Sequence, residues 1–234
     1  MSQETVRYEL REVVAMLWLD DGKANALTQE LIGAVHTGLD RAEKEAQAAL
    51  LIGRPGRFSG GFDLKVMRQG GPAVGELVNA GAELALRLYG FPVPVVLACT
   101  GHAIAMGAIL CMAADARLGA QGDFKIGLNE VAIGMTLPDF GIEFARARLT
   151  PRELMRATVG AEIYTPQGAV EAGFLDRLVS PERLVDEALV EAQRWAQLDR
   201  SAHHNTKLRL RGPTIARIEA TLAENAKQLA ADNA

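Results

Sequence analysis

The sequence predicts an α/β fold with a helical C-terminal part. Three observations carry this. In the first half, apolar or alternating runs of strand length follow one another with helical stretches between them. Two of these runs feed glycine-bearing turns that open helices, at Phe58–Lys65 and Thr100–Gly107. From about Ile142 onward the helical pattern dominates.

Taken in order, Thr5 to Leu19 reads as two strands. Val6, Tyr8 and Leu10 alternate with charged neighbours, and Val13 to Leu19 is a more continuous apolar run. Asp20-Asp21-Gly22 is a turn and Lys23–Leu27 a loop. Thr28 is a good N-cap, with Glu30 in the first turn, for a helix to about Gln47 that carries Leu31, Ile32, Val35 and Leu39 on one face. Ala48–Gly53 reads as a strand and Arg54–Arg57 as a turn. Phe58–Lys65 holds a glycine pair between aromatics and opens a short helix, which Gly70-Gly71-Pro72 breaks. A longer helix covers about Ala73 to Tyr89, and Phe91–Pro94 ends it.

The apolar run Val93 to Ala98 stops at Thr100-Gly101, where a tight turn is expected. Met106-Gly107 then opens a run of small apolar residues, Ala108 to Ala114. Short strands are expected at Asp115–Gln121 and Asp123–Ile126. Helices are expected at Ile142–Leu149, Pro151–Val159 and Pro166–Glu171, with Pro151 suited to a first helical position. Phe174–Val179 reads as a last strand and Pro181–Leu198 as a helix. The chain from Ser201 to about Ala230 is largely helical. The polar His203-His204-Asn205 segment places a boundary near Ser201, giving a core domain over 1–200 and a helical region over 201–234.

Composition narrows the function classes. At 49% hydrophobic and 23% charged residues, the 234-residue chain can bury a full core. A net charge of −4 argues against a nucleic-acid partner. Cys99 and Cys111 both lie in apolar segments and are expected as buried thiols in a reducing compartment. The N-terminal MSQETVRYELREVV lacks the basic and apolar regions of a secretory signal, and no apolar stretch reaches the ~20 residues of a membrane span. A soluble, cytoplasmic protein with no membrane partner is expected.

Three places offer chemistry. A helix that starts at a tight turn leaves free backbone N–H groups, and with the helix dipole these suit a negatively charged oxygen. The N–H groups of Phe62 and Met106 both meet this description, with Gly60, Gly61, Gly101 and Gly107 permitting tight backbone. Each turn alone is equally an ordinary strand-to-helix turn, but an oxyanion hole needs two donors. Glu130 is the third place. Leu128, Val131 and Ile133 surround it, so desolvation should raise its pKa towards the range of a general base; an exposed or capping carboxylate is the plainer alternative. Asp139, after Pro138 in an expected loop, is a possible second acid. His36, His102 and His203-His204 have no metal-ligand spacing, so no metal is expected, and neither a nucleophile elbow nor a phosphate-binding glycine fingerprint is present.

NALT at Asn25–Thr28, FSGGFDLK at Phe58–Lys65, TGHAIAMGAILCMAADAR at Thr100–Arg117, IGLNEVAIG at Ile126–Gly134 and EAGFLDRLV at Glu171–Val179 occur in one order. In these segments the chain resembles the crotonase superfamily, the enoyl-CoA hydratases and isomerases, over essentially its whole length. The resemblance implies a spiral of ββα turns with a C-terminal helical trimerisation region, and hence a homotrimer or a dimer of trimers. It implies an acyl-CoA thioester substrate and no cofactor beyond the coenzyme A of that substrate. It places the oxyanion donors on the main chain of Phe62 and Met106, with Gly107 following. The coenzyme A moiety would lie along Lys23, Ala24 and Ala26 and along Gly60, Gly61, Asp63, Leu64 and Lys65, with Pro138 and Asp139 flanking the site.

Enoyl-CoA hydratases carry two glutamates, at positions matching Ile109 and Glu130. Ile109 cannot move a proton. The resemblance is therefore nearest to the 3,2-trans-enoyl-CoA isomerases, which work with one glutamate and act in fatty-acid β-oxidation. A hydratase or other acyl-CoA conversion using Asp139, and a non-catalytic acyl-CoA-binding protein, are the alternatives. Met67, Leu77, Leu137 and Phe140 are expected to line the acyl pocket.

Overall fold

In a computed structural model, residues 5–232 are described, with side chains through 222. The first four residues, which begin the MSQETVRYELREVV segment, and the last two of the C-terminal region lie outside the described residues. The strands are β1 (Val6–Arg11), β2 (Val14–Leu19), β3 (Ala48–Ile52), β4 (Gly56–Ser59), β5 (Val95–Cys99), β6 (Gly101–Ile104), β7 (Ala116–Ala120), β8 (Ile126–Gly127), β9 (Ile163–Tyr164) and β10 (Arg177–Val179). The helices are α1 (Gln29–Glu45), α2 (Leu64–Gln69), α3 (Pro72–Tyr89), α4 (Met106–Ala113), α5 (Asp139–Arg148), α6 (Pro151–Thr158), α7 (Pro166–Ala172), α8 (Leu184–Trp195) and α9 (Arg200–Asp232). A single 3₁₀ turn covers Val131–Ile133.

Strand alternation builds the main sheet. Its order is β1-β2-β3-β5-β7-β10, antiparallel only at β1–β2. Ala15, Leu17, Leu51 and Leu97 point into the larger core, which also takes Leu31, Val35 and Leu39 of α1 and Leu84, Ala85 and Leu88 of α3. Their neighbours Met16, Leu50, Ile52, Val96 and Ala98 point to the other face, under Leu184, Ala188 and Ala192 of α8. A period of two thus fills both faces of one sheet, as a buried parallel sheet requires. The Thr28 hydroxyl accepts the Leu31 N–H at 3.1 Å and caps α1 as its sequence predicts. The long α9 packs on α3 and α5.

A second sheet, β4-β6-β8-β9, stands apart from the first. Here the structure departs from the sequence expectations. Thr100-Gly101 does not turn straight into a helix, because β6 intervenes and pairs with β4 on one side and β8 on the other. The expected turn at Arg54–Arg57 already contains the start of β4, and the strand expected at Asp123–Ile126 exists only as Ile126–Gly127. β9 was not anticipated, the last strand is confined to Arg177–Val179, and α8 is shorter than Pro181–Leu198. Asp139 is not in a loop; it is the first residue of α5, with Pro138 as the cap.

Candidate active site

The second sheet positions the three residues singled out by their chemistry. β4, β6 and β8 are parallel, with Ser59 beside Ala103, Ala103 beside Ile126 and Ile104 beside Gly127. Their C-terminal ends therefore share one edge. Phe62, Met106 and Glu130 follow two or three residues beyond those ends. Three segments far apart in sequence leave the sheet together at the edge where parallel-strand proteins bind ligands.

The first donor segment is fixed against the Lys23–Leu27 loop. The Leu27 N–H donates to the Gly61 carbonyl at 2.8 Å, and the Asp63 N–H donates to the Leu27 carbonyl at 3.1 Å. These bonds bracket Phe62, whose own N–H has no protein acceptor among the described residues. Gly61 takes φ +90°, a conformation that excludes most side chains. The Phe62 ring lies on α3 at Gly81, where a Cβ would stand 2.4 Å from Cε1.

The second donor segment begins at Ala105, held at φ +52° and ψ −121°. For a residue with a Cβ this is a strained conformation. It is pinned on both sides: the Ala105 N–H donates to the Gly127 carbonyl at 2.9 Å, and its carbonyl accepts the Ile109 N–H at 3.1 Å. Met106 then starts α4 fully buried, and its N–H too has no protein acceptor among the described residues. Buried N–H groups without partners are rare in folded proteins. The two segments touch: a Cβ on Gly61 would lie 3.5 Å from the Met106 nitrogen.

A buried polar frame holds these turns. Asn25 is fully buried at φ +49°. Its amide donates to the carbonyls of Leu19 at 2.8 Å and Phe58 at 3.2 Å, and its carbonyl accepts the Ser59 hydroxyl at 2.7 Å. The Ser59 hydroxyl in turn accepts the Gly61 N–H at 3.1 Å. Asp21 gathers the loop by accepting the N–H groups of Lys23, Asn25 and Ala26. An Asn between two alanines and a Ser ahead of a glycine pair are the signal the sequence offers for this frame.

The residues assigned to coenzyme A by resemblance fall into two groups. In the first, Lys23, Ala24 and Ala26 share the loop gathered by Asp21, and Ala24 meets Gly60 directly, since the Gly60 N–H donates to the Ala24 carbonyl at 2.9 Å. Asp63 caps α2 through the Lys65 N–H at 2.9 Å, and Leu64 and Lys65 are exposed on that helix. Gly107 packs against Ser59. Pro138 and Asp139 stand at the start of α5, next to Leu137, and Asp139 is exposed.

Glu130 is 7% exposed, and its Oε2 is buried without a hydrogen-bond partner. Burial raises its carboxyl pKa above the ordinary glutamate value. Ile109, on the first turn of α4, is buried in an apolar wall: a Cβ on Gly141 would lie 3.2 Å from Ile109 Cδ1 and 3.0 Å from Leu137 Cδ1. Leu77, Leu137 and Phe140 are buried in the same core as Met106 and Ile109, and the half-buried Met67 packs against it. The arrangement offers two unpaired N–H groups and one unpaired carboxylate on a single edge, in apolar surroundings.

Comparison with known proteins places the chain among relatives. The family model described as "Enoyl-CoA hydratase/isomerase" matches residues 9–231. The chain is 28% identical to human mitochondrial enoyl-CoA delta isomerase 1 over 88% of its own length and 70% of the relative's. A solved enoyl-CoA hydratase/isomerase family protein from Pseudomonas syringae superposes with a TM-score of 0.94 at 42% identity, covering 97% and 98% of the two chains. A Mycobacterium tuberculosis protein, described as an enoyl-CoA isomerase in one solved structure and as a probable enoyl-CoA hydratase in another, matches at TM-scores of 0.92 and 0.93 and 39% identity, the first covering 96% and 98% of the two chains. Human mitochondrial delta3-delta2-enoyl-CoA isomerase matches at TM-score 0.91 and 26% identity, covering 96% and 90%.

Proposed function

The chain belongs to the enoyl-CoA hydratase/isomerase family, the crotonases, and from that premise we propose that this acyl-CoA enzyme is a one-glutamate isomerase. It converts a 3-enoyl-CoA to the conjugated 2-trans-enoyl-CoA. The observation that carries this reading is the pairing of an unpartnered buried Glu130 with an apolar Ile109.

In this reading the thioester carbonyl accepts hydrogen bonds from the Phe62 and Met106 N–H groups. Removing a proton from C2 turns that carbonyl into an enolate oxygen, and each donor stabilises the growing charge by about 3 kcal/mol. Glu130 takes the C2 proton and returns it to C4. The double bond moves, and no atom is gained or lost. One base suffices because the proton leaves and re-enters at carbons two bonds apart. Hydration would need a second group to activate water. Ile109 cannot do so, and Asp139 is exposed in the first turn of α5, where a carboxylate favours the helix dipole.

A product assay with 3-enoyl-CoA and 2-enoyl-CoA side by side tests the proposal. Conversion of the first without hydration of the second is the expected result. Efficient hydration of the second would overturn it.

A further inference from the structure

Glycine is among the poorest helix formers, yet α3 carries one at its middle. On either side of Gly81 the helix takes alanine, at Ala80 and Ala82. Gly81 is buried, one turn beyond Leu77 and one turn before Ala85. Two side chains use the space that its missing Cβ leaves. A Cβ at 81 would stand 2.4 Å from Phe62 Cε1, 2.5 Å from Phe62 Cζ and 3.5 Å from Met106 Cε. These side chains belong to the two candidate donors, whose N–H groups lack protein acceptors among the described residues. They come from segments far apart in sequence, and both end on one residue of α3.

The main chains of the two segments meet elsewhere. A Cβ at Gly61 would lie 3.0 Å from Ala105 Cβ and 3.1 Å from the Ile104 carbonyl oxygen. The donor pair is thus joined twice, through backbone at Gly61 and through side chains at Gly81. The backbone contact sets how close the segments come. The side-chain contact bears on direction. An amide nitrogen and a side chain leave the same Cα, and the side chain takes one of a few rotamers, so holding its far end limits where the N–H can point. This hold matters most at Phe62. The helix that follows it, α2, buries none of its residues and ends at Gly70 and Gly71, both at positive φ. By contrast α3 is fixed in the core by Leu77, Ala82, Leu84, Ala85 and Leu88.

We propose that Gly81 is a positioning residue for the reaction: by receiving the side chains of Phe62 and Met106 at one point, α3 sets the direction of both donor N–H groups. The proposal rests on the reading of those two groups as the oxyanion site. Gly81 acts through them. A methyl group at 81 would force the Phe62 ring to retreat by about 1 Å, from 2.4 Å to the 3.4 Å of ordinary contact. A displacement of that size at a reacting centre costs roughly a hundredfold in rate. The poor helix former at the middle of α3 is thereby explained: alanine would suit the helix and displace the donor.

Infrared spectroscopy of bound hexanoyl-CoA, labelled with carbon-13 at the thioester carbonyl, tests this on the whole protein. That ligand has no double bond to move, so its carbonyl band reports the donors whatever the reaction is. Hydrogen bonds to the carbonyl should lower the band on binding to the native protein. In Gly81→Ala most of that shift should be lost, and kcat on 3-enoyl-CoA should fall roughly a hundredfold with KM little changed. Phe62→Leu shortens the side chain and keeps the N–H. Added to Gly81→Ala, it should recover the shift and about tenfold or more in kcat, because the leucine end meets the new methyl group. On its own it leaves a gap above Gly81 and should lose part of the shift, which covers the case in which Gly81→Ala does not fold. A full shift in either single variant, or a folded double variant that recovers neither quantity, would overturn the proposal. No shift in the native protein would remove the donor reading and this proposal with it. A normal shift without turnover of 3-enoyl-CoA would remove the isomerase reading alone, and the carbonyl band of the variants would still decide the role of Gly81.

Discussion

Gly107 lies against Ser59 so closely that a Cβ on it would stand 2.5 Å from the Ser59 carbonyl oxygen. This contact joins the first turn of α4 to the end of β4, and so joins the Met106 segment to the Phe62 segment. The neighbouring atom is backbone, with little room to give. Gly107→Ala should push the two donors apart while leaving the rest of the core intact. Losing one oxyanion donor costs about 3 kcal/mol in the transition state, roughly a hundredfold in kcat. Steady-state kinetics on 3-enoyl-CoA checks this. A variant that keeps wild-type kcat would show that the two segments do not act as one site.

Glu130→Gln keeps the shape of the buried side chain and removes its basicity. Exchange of deuterium into C2 of a bound enoyl-CoA should fall by at least a thousandfold, in line with the loss of a general base. Binding of the thioester, measured by titration, should change little. Exchange that survives the substitution would assign the base to another residue and leave Glu130 as a packing group.

The main sheet and its helices were legible because they repeat a pattern over many residues. α1 announces itself through Thr28, Glu30 and the spacing of Leu31, Val35 and Leu39. The second sheet was not legible. β8 and β9 have two residues each, too few for alternation to show, and β6 is hidden in Gly101–Ile104, where glycine and histidine read as a turn. Yet that sheet sets the geometry of the candidate site. Phe62, Met106 and Glu130 were found individually, from local turns and an acid among apolar residues. Their sharing of one edge follows from pairing between β4, β6 and β8, which is non-local. Asn25 and Ser59 are unreadable for the same reason, since Asn25 meets Phe58, and the Ser59 hydroxyl meets the Asn25 main-chain carbonyl, only through the fold.

Ala105 stores strain beside the second donor. Glycine adopts φ +52° freely, so Ala105→Gly should relieve a cost of about 1–3 kcal/mol, less about 0.4–1 kcal/mol for the more flexible unfolded chain. A net gain of about 1 kcal/mol corresponds to a Tm rise of about 2–4 °C in a domain of this size. The same freedom loosens the peptide that carries the Met106 N–H, so kcat should fall. Calorimetry and kinetics on one preparation test both halves. A lower Tm would mean that the pinning of Ala105 by Gly127 and Ile109 carries no strain.

Glu130 links stability and activity to pH in opposite senses. Burial raises its folded pKa above the unfolded value of about 4.3. The folded state thus holds the proton to higher pH than the unfolded chain does. The stabilising contribution is fully present below the unfolded pKa and is lost as pH rises through the folded one. Glu130→Gln cannot ionise and escapes this loss. Its Tm relative to wild type should therefore be higher at pH 7 than at pH 4. Catalysis needs the ionised base, so kcat/KM should fall as pH drops through the raised pKa, on an acid limb above the ordinary glutamate range. Thermal melts of both proteins from pH 4 to 8, with a kcat/KM profile over the same span, provide the check. Tm curves that stay parallel, or an acid limb at the ordinary glutamate value, would remove Glu130 from its buried, desolvated role.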